Sequence, residues 1–153
     1  MKITLFAMAL VLFISCDTEK KTEEDIDYVA KNEADIQAYV EENNLTAVRS
    51  NSGLYYVIEE EGTGTQAEAN SNVTVAYKGY FLNGSVFDQS DADGITFGLN
   101  QVIAGWTEGI TYFKEGGSGI LLVPAHLGYG SRDYNGIPGG SVLIFEVSLI
   151  SGN

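Results

Sequence analysis

One cysteine, one histidine and one tryptophan occur in 153 residues, and eight Lys or Arg stand against 21 Asp or Glu. The single Cys16 cannot close a disulfide within the chain and leaves no thiolate set for zinc. His126 has no second histidine, so a histidine metal site lacks a paired ligand and a serine hydrolase pair lacks its partners. With a formal charge of −13, no basic face is available to neutralise phosphates, which excludes a nucleic-acid partner. The apolar run from Ile3 to Ile14 is too short to span a bilayer comfortably. Asp91 and Asp93 around Gly94 lack the further ligands of a calcium loop. No helix is placed to make Gly62-Thr63-Gly64 or Gly116-Gly117 a phosphate cradle.

What is present begins with a positive start, Met1-Lys2, the short apolar run, and Ser15-Cys16-Asp17. That order reads as a secretory signal over residues 1–15. Cys16 directly after Phe13-Ile14-Ser15 resembles the lipobox of bacterial lipoproteins, with Phe13 where leucine is usual. The resemblance implies lipidation of Cys16 and a membrane-anchored lipoprotein of the cell envelope, facing the periplasm or cell surface. Residues 16–25 are almost wholly polar and are expected to be a disordered tether. Ile26, Val29, Ile36, Tyr39 and Val40 recur at helical spacing, which predicts an amphipathic helix over 27–43 within a helical extension, 26–50. Its stripe suits docking on its own domain or pairing with another copy as a homodimer; the sequence leaves both open.

From residue 51 the pattern is that of short strands. Leu54–Ile58, Val73–Tyr80, Ser85–Asp88, Ile95–Phe97, Gly119–Val123 and Val142–Ile150 are apolar or alternating, and Asn83-Gly84 is a hairpin signal. Leu143, Phe145, Val147 and Leu149 alternate onto one face. Between the fourth and fifth strands, Val102-Ile103-Ala104-Gly105-Trp106-Thr107-Glu108-Gly109 predicts one short helix, with Trp106, Ile110 and Phe113 on one side. The expected class is α+β: a twisted antiparallel sheet of five to six strands wrapped on one short central helix, preceded by the N-terminal amphipathic helix.

Val75-Ala76-Tyr77-Lys78-Gly79, Val86-Phe87-Asp88, Val102-Ile103-Ala104-Gly105-Trp106, Leu127-Gly128-Tyr129-Gly130, Ile137-Pro138 and Leu143-Ile144-Phe145-Glu146-Val147 follow one another in the order and spacing of the FK506-binding proteins. Residues 53–150 are covered by this resemblance, and 51–153 are taken as the domain. The chain is similar to the Mip-like and FkpA-like lipoprotein branch, and to the gliding-associated isomerase lipoproteins of flavobacteria.

The resemblance implies a peptidyl-prolyl cis-trans isomerase assisting exported or envelope proteins, with prolyl segments of unfolded chains as substrates, FK506-like macrolides as inhibitors and no cofactor or metal. Carried over, it puts Tyr77, Phe87, Asp88, Val102, Ile103, Trp106, Tyr129, Ile137 and Phe145 around a proline pocket. Trp106 would be the floor, and Phe87 and Phe145 walls. The Ile103 N–H and the Tyr129 hydroxyl would meet substrate carbonyls, and Asp88 would hydrogen-bond Tyr129. Ile95 replaces a common aromatic and should weaken one wall. Gly128 and Gly139 replace a common alanine and proline and would loosen the 128–140 crossing. An FKBP-fold chaperone or binding module with little isomerase activity is the alternative reading of the same pocket.

Overall fold

The computed structural model describes residues 26–152. The signal, Cys16 and the tether lie outside the described residues. Helix α1, Tyr28–Glu42, starts where Asp27 Oδ1 accepts the N–H groups of Val29 (3.0 Å) and Ala30 (3.2 Å). A short acceptor at that position satisfies donors the first helical turn cannot pair.

Seven antiparallel strands follow: β1 Val48–Arg49, β2 Tyr55–Glu60, β3 Asn72–Phe81, β4 Val86–Gln89, β5 Ile95–Gly98, β6 Ser118–Val123 and β7 Leu143–Gly152. They are ordered β1-β2-β6-β7-β3-β4, with β5 also paired to β3. The seventh strand beyond the expected six is β1, two residues too short to leave a periodic signal and held by pairing with Tyr55 and Tyr56. It draws the end of the N-terminal extension into the sheet.

The centre is the long pairing of β3 with β7, from Val73 opposite Gly152 to Phe81 opposite Leu143. Leu143, Phe145, Val147 and Leu149 all face one core layer together with Val73 and Val75, as their alternation predicts. Helix α2, Ala104–Gly109, lies on that face and continues as a 3-10 turn over Ile110–Tyr112. Trp106, Ile110 and Phe113 are buried there. A Cβ on Gly105 would come within 2.5 Å of Val123 Cγ1, and one on Gly109 within 2.7 Å of Leu121 Cδ2. Glycine at both positions lets the helix backbone rest directly on β6.

The opposite face of the sheet carries a second apolar cluster. Ile36 of α1, with Tyr39 and Val40, packs against Tyr55, Ile120, Leu122, Val142 and Ile144. The unbroken run Ile120-Leu121-Leu122-Val123 follows from this, because β6 is covered on both sides. The Ile36, Tyr39 and Val40 part of the α1 stripe is therefore occupied by its own domain, whereas Ile26 and Val29 stay exposed. Glu33 reinforces the docking, accepting from Tyr55 Oη (2.6 Å) and from Arg49 Nε (2.9 and 3.1 Å). No helix among the described residues is long and apolar enough to cross a membrane.

Candidate functional site: an aromatic cleft over Trp106

Trp106 is 5% exposed and forms the base of a cleft of about 600 Å³. Thr107 Oγ1 donates to the Leu99 carbonyl (2.5 Å), anchoring the start of α2 beneath the cleft. Three rings surround the indole. Tyr77 meets it edge-on at 5.0 Å and 90°, Phe145 at 5.2 Å and 84°, and Phe97 lies tilted at 5.4 Å. Phe87 closes the wall, edge-on to Phe145 at 5.6 Å. Such edge-to-face contacts fix ring orientation as well as burying area.

Gly79 makes that wall possible. It pairs with Asp88 across β3–β4 and with Phe145 across β3–β7. A Cβ there would lie 2.7 Å from Phe87 Cζ and 2.9 Å from Phe145 Cε1. Only a residue without a side chain lets both rings close over it.

The rim is polar. Tyr77 Oη donates to Asp88 Oδ2 at 2.6 Å. Burial first, then this bond and the Asp88 charge, push the Tyr77 hydroxyl well above its ordinary range. Among the described residues, neither the Ile103 N–H nor the Tyr129 hydroxyl has a hydrogen-bond partner. Both line the cleft, so one backbone donor and one hydroxyl are free to meet carbonyl oxygens. Trp106 Nε1 is buried without an acceptor among the described residues. No three His, Cys, Asp or Glu side chains among the described residues gather to hold a metal ion.

The family model for FKBP-type peptidyl-prolyl cis-trans isomerases matches residues 63–150 of this chain. The chain belongs to that family. It is similar to FkpA of Buchnera aphidicola from Schizaphis graminum, 45% identical over 105 residues, 67% of this chain and 42% of that protein. To FkpA of Escherichia coli K12 it is 36% identical over 141 residues, 90% of this chain and 51% of the relative. The chain thus spans about half the length of the curated relatives it matches or less. The crystal structure of Escherichia coli FkpA superposes with a TM-score of 0.73 at 35% identity, covering 82% of this chain and 61% of that one. AtFKBP13 superposes at 0.64 with 31% identity, covering 70% of this chain and 98% of its own.

Eight of the nine expected pocket residues of this FKBP domain, Tyr77, Phe87, Asp88, Val102, Ile103, Trp106, Tyr129 and Phe145, line the one cleft. Ile137 lines the adjoining cleft of about 470 Å³, whose walls Phe87, Asp88 and Tyr129 are shared. Asp88 is bonded by Tyr77, not by Tyr129 as expected. The cause is register: with Gly79 opposite Asp88, the Tyr77 ring crosses one pleat to reach the carboxylate. Tyr129 instead stacks on Tyr134, with centroids 5.0 Å apart and planes 10° from parallel. Burial, followed by the neighbouring Tyr134 and Asp88, raises its hydroxyl above the ordinary value.

Phe97, Gln101, Tyr134 and Asn135 also line the FKBP cleft and were not assigned to it from sequence. Asn135-Gly136 carries the same signal as Asn83-Gly84 and makes a tight hairpin. Tyr134 and Ile137 exchange backbone bonds of 2.9 and 2.8 Å across it. The Gly139 N–H, absent from a proline, donates to Asp133 Oδ1 at 2.8 Å and gives the crossing a bond that a proline would lack. His126 is exposed, with Nε2 2.8 Å from the Ser52 carbonyl oxygen.

Proposed function

We propose that the chain is a peptidyl-prolyl cis-trans isomerase acting on prolyl segments of exported or envelope proteins. Rotation about an X–Pro bond faces a barrier of about 18–20 kcal/mol because the amide loses its resonance on twisting. No covalent bond to the protein is needed. The twisted amide is less polar at its carbonyl, so a dry aromatic cup over Trp106 favours it relative to the planar amide in water. The Ile103 N–H and the Tyr129 hydroxyl hold the flanking carbonyls, and Tyr77 keeps Asp88 at the rim rather than over the ring. The single observation that carries this reading is the buried indole bounded by Tyr77, Phe97 and Phe145 at the bottom of an open cleft.

Lipidation of Cys16 and an envelope location are part of the proposal, supported by the Met1–Asp17 signal pattern. FK506-like macrolides are the expected inhibitors. Ile36, Tyr39 and Val40 of α1 are packed on the same chain, which leaves only Ile26 and Val29 of that stripe for a second copy. Exposed Leu82, Val86, Tyr129 and Tyr134 favour a second reading, a binding module for unfolded chains. Refolding of a substrate protein limited by proline isomerisation separates the two. An isomerase accelerates that slow phase at substoichiometric concentration, whereas a binding module leaves its rate unchanged and only suppresses aggregation.

A further inference from the structure

We propose that Asn32 is a positioning residue for the cleft. From α1, its side-chain amide fixes the two ends of the 125–140 crossing that carries Tyr129 and Tyr134. The inference rests on the reading of the cleft as a proline site.

Asn32 is 1% exposed and lies on the helix face where an apolar residue would dock at least as well. Both ends of its amide are used. Oδ1 accepts the Ala125 N–H at 2.8 Å, and Nδ2 donates to the Gly140 carbonyl at 2.9 Å. These partners stand at the two ends of the crossing. The chain closes the circuit itself: Gly140 N–H donates to the Gly130 carbonyl (2.9 Å), and Gly130 N–H to the Ala125 carbonyl (2.8 Å). Gly130 directly follows Tyr129, so four bonds lock the backbone that aims that ring into the cleft.

Tyr28, one turn earlier on α1, lies against Gly140 so closely that a Cβ there would fall 1.8 Å from Tyr28 Cε1. With φ at +76°, Gly140 holds a bend an ordinary residue would resist. No residue of α1 lines either cleft. Its influence passes through Ala125, Gly130 and Gly140. A buried polar group with both partners present is stiff, and with one removed it leaves orphaned backbone groups.

The test compares full-length wild type, Asn32→Ala and Ile36→Ala. Ile36→Ala loosens the same helix without touching the circuit. Asn32→Ala should speed amide hydrogen exchange at Gly130 and Gly140 by about tenfold. It should raise KM for a proline-containing tetrapeptide about fivefold with kcat within about twofold, the pattern of lost binding geometry. Ile36→Ala should lower the unfolding midpoint and leave KM and both exchange rates at wild-type values. The proposal is overturned if Asn32→Ala moves only the midpoint, or if Ile36→Ala reproduces its exchange and KM changes. A wild type without turnover would sink the isomerase reading alone, and exchange at Gly130 and Gly140 would still decide on Asn32.

Discussion

Tyr77 and Asp88 are joined by a 2.6 Å hydrogen bond that ties β3 to β4 at the rim of the cleft. Because burial and Asp88 raise the Tyr77 hydroxyl above its ordinary value of 10, the folded chain holds that proton more tightly than the unfolded chain. The resulting stability is full below pH 10 and fades as the pH climbs toward the folded-state value. Wild type should therefore weaken in alkali, and Tyr77→Phe should flatten part of that limb. Tyr80, raised by burial and by Tyr39, contributes another part. Urea denaturation at about pH 8 and about pH 11 checks this; equal losses in wild type and variant would contradict it.

Gly79→Ala should disable the site while keeping the fold. The new methyl would press on Phe87 Cζ and Phe145 Cε1 and part the two rings. The expected cost is about 1–3 kcal/mol of stability, as for other overpacked sites. Activity toward a prolyl tetrapeptide should fall by about tenfold or more, beyond what partial unfolding explains. Parallel measurement of unfolding midpoint and kcat/KM reads both.

At the acid end, Glu33 is the group to follow. The Arg49 hydrogen bond, then that of Tyr55, hold its carboxyl below the ordinary 4.5. A depressed folded-state value gives stability that is full above 4.5 and lost as pH falls. The pair is open to solvent, which screens it, so the loss should be small. Glu33→Gln should remove the pH dependence of this part, seen as a smaller shift in midpoint between about pH 6 and about pH 3.

The sequence made most of the site legible because its residues lie on regular elements. Alternation in β7 sets Phe145 on the α2 face, and the Gly105-Trp106 start of α2 marks the floor. What escaped it depends on pairing that alternation alone does not specify. Asp88 has two tyrosines within reach, and only the β3–β4 register selects Tyr77. Tyr134 enters the cleft because a two-residue hairpin folds it back onto Tyr129. The helix over 27–43 was plain in its periodicity, and the structure gives Tyr28–Glu42. Its docking side was not, since the same stripe serves a partner or the home sheet equally well until Ile120, Leu122 and Ile144 are seen on the uncovered face.

Replacing the indole by a smaller ring tests the centre of the account. Cis-trans relaxation of a prolyl tetrapeptide should be strongly accelerated by the wild-type chain, and a FK506-type macrolide should abolish the effect while changing Trp106 fluorescence. Trp106→Phe should keep the fold and lose about tenfold or more in kcat/KM, about 1.4 kcal/mol of transition-state binding. Relaxation at the uncatalysed rate with wild type, and fluorescence indifferent to the macrolide, would contradict it.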